Sequence, residues 1–133
     1  MNDVNLVVTT VAVLAVFVVS TVWYGAFGRQ LQQLSPAYAD AASNARPPAW
    51  KVIVEILRSL LIVGVFAALA SRLEVADWRA GALLGIALWI GFPAVLWTGA
   101  VVWEKVPLKL AAIHAGDWLL KLMVIGILVG AWS

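Results

Sequence analysis

The sequence predicts an all-α integral membrane protein, built as an antiparallel bundle of four transmembrane helices. Of its 133 residues, 64% are hydrophobic and only 12% are charged, which is more apolar surface than a soluble domain of this length can bury. The apolar residues form four runs, each near the roughly 20 residues that a helix needs to cross a bilayer. Short connections between the runs make consecutive helices antiparallel neighbours.

Each predicted span has recognisable limits. We place a polar loop, rich in Ala, Ser and Pro, at residues 28–49, and the pair Pro47-Pro48 near its end can start the next helix because proline is tolerated in a first turn. Pro107 stands in the same position before the last run. Four spans leave no room for a soluble domain, so we expect a single transmembrane domain over residues 1–133. The predicted spans are residues 4–27, 50–71, 78–102 and 108–132.

The first run lacks the features of a cleaved signal peptide. The tail before it carries Asp3 and no Lys or Arg, and the run is longer than the roughly 7–15 apolar residues of a signal sequence. Residues 37–39, Ala-Tyr-Ala, resemble a cleavage site, but we expect them to lie in the loop. We therefore expect the first run to remain as a membrane span.

The basic residues of the loops predict the orientation of the chain. Cytoplasmic loops of membrane proteins carry an excess of Lys and Arg. Such residues flank the first and third loops more often than the second, and the tails have none. This bias places both termini outside the cytoplasm, and the richness in Ala, Val and Gly favours a bacterial inner membrane. The basic residues at the first and third loops are Arg29, Arg46, Lys51, Lys105 and Lys109, and those at the second loop are Arg72 and Arg79.

Composition argues against several classes of function. The basic residues form no stripe interleaved with aromatic residues, so we expect no nucleic-acid binding. The chain has no cysteine and a single histidine, His114, which excludes disulfides and argues against a transition-metal site. No Gly-rich phosphate loop and no Ser-His-Asp spacing is present, so we expect no enzyme activity, no catalytic residue and no cofactor.

Small residues recur at a spacing of four in the last two spans. Gly81 and Gly85 form one GxxxG pair, and Gly126 and Gly130 form another. Such pairs allow helix backbones to approach closely in lipid, either inside the bundle or at a self-association face. Pro93 interrupts the third span, where its missing N–H predicts a kink that is either packed in place or used as a hinge.

Two spans carry ionisable residues on one helix face. At about 100° per residue, His114, Asp117 and Lys121 fall within an arc of about 60° on the fourth span. Glu55 and Arg58 lie three apart on the second span, which also puts them on one face. A charge at the bilayer centre costs roughly 2.5–3.5 kcal/mol even on the lenient insertion scale, so these side chains should face the bundle interior.

The two charged faces are predicted to lie at matching depths. The tenth residue after the proline that starts each helix is charged, Arg58 in one span and Asp117 in the other, about 15 Å into a core about 30 Å thick. We therefore expect the cross-helix pairs Arg58–Asp117 and Glu55–His114. Lys121 should reach back to Asp117 at the i,i+4 spacing.

Two interpretations of these residues remain open. In the first, they line a polar pathway or ligand site for an ion or small molecule in a channel or transporter, with His114 and Asp117 able to exchange protons. In the second, neutralised pairs hold helix register in a non-catalytic accessory or scaffold subunit of a membrane complex. A narrow bundle also favours a homo-oligomer. Trp23 and Tyr24 either anchor the first span at the interface or close one end of a cavity.

Residues 21–30, TVWYGAFGRQ, contain a Trp-Tyr pair followed by Phe-Gly and a basic residue. Residues 82–132 contain a Gly-bearing span, a short basic loop and a last span with an Ala-Gly centre and a terminal Trp. Both stretches resemble the family catalogued as domain of unknown function 1761. The positions that match its pattern are Trp23, Tyr24, Phe27, Gly28, Gly116, Trp118 and Trp132.

The resemblance implies a small bacterial membrane protein with four spans and no agreed activity. The pattern of the family has Asn at position 114 and an aromatic residue at position 117, where this chain has His114 and Asp117. We therefore interpret the charged face of the fourth span as a specialisation of this protein, which analogy with the family does not explain.

Overall fold

The computed structural model of the chain describes residues 3–36 and 48–132. Within these residues the regular secondary structure is helical, and no strand is present. Four helical segments are long and apolar enough to cross a membrane, which confirms the predicted all-α four-helix membrane bundle. The helices are α1 (Asp3–Ala26), α2 (Gly28–Leu34), α3 (Ala49–Arg72), α4 (Trp78–Gly91), α5 (Pro93–Trp103) and α6 (Leu108–Ala131).

The membrane-spanning segments lie close to the predicted ones. Helices α1, α3 and α6 each form one span, and α4 and α5 together form the third. Pro48 and Pro107 immediately precede α3 and α6, as expected from the tolerance of proline at a helix start. Helix α4 begins instead with a polar cap, because the Asp77 side chain accepts a hydrogen bond of 2.8 Å from the Ala80 N–H. The spans cover Leu6–Ala26, Ala49–Arg72, Trp78–Trp103 and Leu108–Ala131.

The segment predicted as a loop begins with a helix, which corrects the prediction there. Helix α2 follows α1 after a single residue, and the Leu31 N–H donates to the Phe27 carbonyl at 2.9 Å, so the chain stays helical beyond the first span. Leu31 is buried, whereas most of the rest of α2 is polar, with Arg29 and three Gln residues. Because Arg and Gln occur in helices as well as in loops, the composition did not predict this helix. Extended Ser35 before Pro36 ends it. Residues 37–47, with the sequence that resembles a cleavage site, lie outside the described residues.

The third span is broken at Pro93, where the sequence predicts a kink. Helix α4 ends at Gly91 and α5 begins at Pro93, with Phe92 between them. The backbone hydrogen bonds on either side persist, since the Phe92 N–H donates to Leu88 and the Leu96 N–H donates to Phe92. The break therefore comes from the missing N–H and the ring of the proline. Beyond it α5 contacts α6 far less closely than α4 does.

Glycines hold α4 against α6. A Cβ added to Gly81 would lie 1.8 Å from the carbonyl oxygen of Gly126, and one added to Gly126 would lie 2.1 Å from that of Gly81. At Gly85 and Gly130 an added Cβ would lie 2.5 Å and 2.2 Å from a backbone carbonyl oxygen. Both GxxxG pairs thus face each other inside the chain, which favours the packing interpretation, because a self-association face would need the same surfaces.

A cluster of buried apolar residues joins α1, α3 and α6. It occupies the half of the bundle that contains the start of α1 and the ends of α3 and α6. Phe66 and Ile125 are among its largest fully buried side chains. The other half, near the end of α1 and the starts of α3 and α6, is where the helices leave a polar cleft. The cluster consists of Val8, Ala12, Val16, Val63, Phe66, Ala70, Leu122, Ile125 and Val129.

Replacing Gly81 by Ala should destabilise the bundle, because the added methyl group meets the Gly126 backbone, which cannot rotate away. We expect a loss of about 1–3 kcal/mol, the usual cost of overpacking, in the free energy of unfolding measured by denaturant titration in detergent. Gly99→Ala is the matched control, since no atom lies within 4 Å of a Cβ added there. Equal stability of the two variants would contradict the close contact between α4 and α6.

Candidate functional site

Helices α1, α3, α5 and α6 enclose a polar cleft of about 660 Å³. All five ionisable residues that the sequence singles out line it, so the two charged faces do converge on one space. Several other polar and aromatic side chains complete the wall. The polar and aromatic lining consists of Phe17, Ser20, Thr21, Tyr24, Lys51, Glu55, Arg58, Ser59, Trp97, His114, Asp117, Trp118 and Lys121.

The inner end of the cleft is a buried ion pair. Lys121 Nζ lies 2.9 Å from Asp117 Oδ2, one turn earlier on α6, as the i,i+4 spacing predicts. Ser20 Oγ of α1 donates a hydrogen bond of 2.6 Å to Asp117 Oδ1. Asp117 exposes only 1% of its surface, so both carboxylate oxygens find partners where water has little access. These contacts tie α1 to α6 and neutralise the carboxylate locally.

The predicted cross-helix ion pairs are wrong. Glu55 pairs instead with Arg58 on its own helix, where the two side chains are 44% and 54% exposed. The matching depths did not bring these residues together because the cleft itself separates the charged face of α3 from that of α6. Helix α3 packs more closely on α1 than on α6. Asp117, the predicted partner of Arg58, is engaged by Ser20 and Lys121.

His114 contacts aromatic residues rather than Glu55. Its Nδ1 lies 2.8 Å from the Tyr24 hydroxyl, a hydrogen bond whose donor depends on the imidazole tautomer. The Trp97 ring stacks on the imidazole, with the centroids 4.8 Å apart and the planes 13° from parallel. The histidine is thus held between α1 and α5 at the wall of the cleft, where an acid–base group contacts both a phenol and an indole.

The two residues proposed for a cavity end have different positions. Tyr24 lines the cleft, whereas Trp23 does not. Trp23 packs instead against Gly116, where an added Cβ would lie 2.6 Å from the indole ring. Its Nε1–H donates a hydrogen bond of 2.8 Å to the Ile113 carbonyl. Trp23 therefore joins α1 to α6 beside the cleft.

Sequence reasoning missed several residues of this site, among them Ser20 and Trp97. Ser20 and Thr21 interrupt an otherwise apolar stretch of the first span, and that interruption was the available signal. Trp97 stacks on His114 and also lines the cleft. Its Nε1–H is buried and has no hydrogen-bond partner among the described residues. A buried donor without a partner is uncommon and calls for an acceptor.

The cleft does not contain a recognisable metal centre. Within residues 3–36 and 48–132, no three His, Asp or Glu side chains lie close enough together to hold a metal ion. Its chemistry is that of ion pairing and hydrogen bonding. Lys51, Arg58 and Lys121 contribute positive charge, and Glu55 and Asp117 contribute negative charge. Such a wall can bind a polar or charged group, and its inner end can do so with little competition from water.

Fold and cleft together define a small multi-pass α-helical membrane protein with a charged site inside the bundle. The chain belongs to the family described as Protein of unknown function (DUF1761), which matches residues 7–130 and so confirms the resemblance seen in the sequence. No curated protein and no solved structure matches the chain.

Neutralising Asp117 alone should destabilise the protein, because Lys121 would stay buried without its partner. Breaking a buried ion pair on one side costs about 3–5 kcal/mol, and we expect Asp117→Asn to lose a free energy of unfolding of that order. The double variant Asp117→Asn with Lys121→Gln should recover most of it, since no buried charge is left. A double variant less stable than Asp117→Asn would contradict direct pairing of the two residues.

Proposed function

We propose that the protein is a small transporter whose polar cleft receives an ion or another small charged ligand. One observation carries the proposal: six ionisable residues from α3 and α6 converge on a single cleft that ends at the buried Asp117–Lys121 pair. Ionisable residues inside a membrane are costly and commonly mark substrate or ion pathways. Glu55 and Arg58 occupy the exposed part of the cleft, where an entering ligand would meet them first.

A transporter fits the cleft better than an open channel. One helical turn beyond the lining residues Val16, Ser59 and Lys121 stand Ala12, Val63 and Ile125, each with 0% of its surface exposed. We propose that these three apolar residues seal the inner end. A ligand could then pass only when the helices rearrange, as they do when a transporter exposes its site alternately to the two sides.

We propose no catalytic role for the cleft and no cofactor. Ser20 donates its hydroxyl hydrogen to Asp117, and His114 is held by Tyr24 and Trp97, so neither serine of the lining has histidine as a base among its described contacts. The groups present suit binding and proton exchange rather than bond making.

Flux through purified protein in sealed liposomes tests the proposal. Under an imposed potential, wild-type protein should move protons or ions, and the double variant Asp117→Asn with Lys121→Gln should fall to the level of protein-free liposomes. The double variant is chosen because it leaves no unpaired buried charge and should keep the fold. Glu104→Gln, an acid in the connection after α5 and away from the cleft, should retain wild-type flux.

Wild-type liposomes with no flux above the protein-free level would contradict transport of the ions tested. Wild-type flux in the double variant would contradict a path through the cleft.

A scaffold or accessory subunit is the second candidate. The observation in its favour is that Asp117 already has two partners, Ser20 and Lys121, which join α1 to α6 as a device for register would. In that case Asp117→Asn should lower stability or assembly, because Lys121 loses its partner, and liposomes with the wild-type protein should show no flux. The apolar outer surfaces of α3 and α5 would then be where a partner or a second copy packs.

We propose further that the protein lies in a bacterial inner membrane with both termini outside the cytoplasm. Lys51, Lys105 and Lys109 lie at one side of the bundle, and Arg72 and Arg79 lie at the other. The excess of basic residues on the first side supports placing that side in the cytoplasm.

Labelling of single cysteines tests this orientation, because the natural chain has no cysteine. Glu74→Cys, between α3 and α4, should react with a membrane-impermeant maleimide on intact cells. Glu104→Cys, between α5 and α6, should react only after the membrane is permeabilised. Both residues are exposed, so a difference reports the side of the membrane. The reverse pattern would show that the termini are cytoplasmic.

A further inference from the structure

A second cavity lies beside the polar cleft, between α3 and the broken helix α4–α5, with α6 as its floor. It has a volume of about 930 Å³ and is lined almost entirely by apolar residues, so we call it the apolar crevice. Helix α3 has at most sparse contacts with α4 and α5, which leaves the crevice open sideways toward lipid. Its wall includes Phe92 and Pro93, so the kink of the third span shapes it.

The crevice and the polar cleft meet at Arg58 and Trp118, which line both. From this junction the crevice follows α3 as far as Leu69, eleven residues on, or about 16 Å along the helix axis. That distance is close to half of a hydrocarbon core about 30 Å thick, so the crevice has the length of the acyl chains of one leaflet and begins near mid-membrane, at Arg58. The polar cleft therefore opens directly into the apolar crevice, and the length of the crevice matches that of an acyl chain.

The polar side of the junction favours an anionic group. The cleft is lined by the cations Lys51, Arg58 and Lys121 and by the carboxylates Glu55 and Asp117, an excess of one positive charge. Asp117 pairs with Lys121 at the inner end and Glu55 pairs with Arg58 near the junction, so the excess charge is that of Lys51 at the rim. Arginine binds phosphate oxygens in bidentate fashion.

Trp97 supplies a second, independent observation. Its indole nitrogen is buried, its side chain lines the polar cleft, and the Nε1–H has no acceptor among the described residues. Trp97 belongs to α5, whose Val95 and Leu96 line the apolar crevice. An acceptor bound in the polar cleft would satisfy this donor, and an oxygen of a phosphate group is such an acceptor.

We infer that the composite site binds an anionic phospholipid taken from the surrounding bilayer. Its head-group phosphate lies at Arg58 and Lys51 and accepts from Trp97, and one acyl chain lies in the apolar crevice. This inference rests on the proposed function, because the ligand enters the same polar cleft. It specifies that the ligand is an anionic phospholipid. A water-soluble anion would use only half of the site, because it would leave the crevice unused.

Native mass spectrometry of the purified protein in a neutral detergent tests this binding. The probes are phosphatidylglycerol and phosphatidylcholine with identical acyl chains, and glycerol 3-phosphate as the soluble head group alone. We expect phosphatidylglycerol to bind about tenfold more tightly than phosphatidylcholine, as a charge-assisted contact allows, and glycerol 3-phosphate not to compete.

Two variants should weaken binding of phosphatidylglycerol, each beside a matched control. Arg58→Gln should weaken it about tenfold, whereas Arg72→Gln at the other end of the same helix should not. Leu96→Trp should fill the crevice and also weaken binding. Leu83→Trp, at a similarly exposed leucine outside the crevice, should leave it unchanged.

Glu55→Gln gives a test in which binding of phosphatidylglycerol should increase, a result that loss of structure would not produce. Glu55 forms the ion pair that partly neutralises Arg58, so its removal should strengthen binding of phosphatidylglycerol several-fold. Equal binding of the two lipids, equal effects of Arg58→Gln and Arg72→Gln, or competition by glycerol 3-phosphate would each overturn the inference.

The two proposals fail separately. Ion flux through liposomes without preference for phosphatidylglycerol would overturn the lipid site and leave transport intact. Retention of the lipid without ion flux would support the lipid site and contradict ion transport.

Discussion

The close contact of α4 with α6 is the constraint on which the rest of the structure depends. Glycines bring the two backbones together, and no larger residue fits between them. On α6, Gly126 lies nine residues after Asp117, and Gly130 lies nine residues after Lys121. Nine residues are about two and a half helical turns, so the glycine face and the charged face point in opposite directions. Fixing the first against α4 therefore turns the second toward α1 and α3, away from lipid.

The electrostatics of the cleft change along its depth. Glu55 and Arg58 are substantially exposed, and an ion pair of this kind contributes little to stability. Asp117 and Lys121 are buried, so each depends on the other and the carboxylate also depends on Ser20. The outer pair can thus exchange partners at small cost, while the inner pair is held. This gradient would let a charged group enter the cleft while the inner end keeps its structure.

The predicted site residues converge, although their predicted partners differ. Charges in apolar spans must avoid lipid, so periodicity was enough to place Glu55, Arg58 and Asp117 around one interior space. Pairing depends on the distance between helices, and the sequence does not contain that distance. The local i,i+4 contact of Lys121 was predictable because it lies within one helix. The hydrogen bond between Tyr24 and His114 joins residues that are 90 positions apart, and only the packing of α1 on α6 creates it.

By itself the sequence determined the environment, the four spans, the helix starts at Pro48 and Pro107, the break at Pro93 and the faces that carry charge. These features follow from local rules of hydropathy, backbone chemistry and helix periodicity. Tertiary structure decided how the glycine pairs are used, which charges pair, and that a polar cleft and an apolar crevice meet at Arg58. Those features depend on the spacing and crossing of helices, which many distant residues set together.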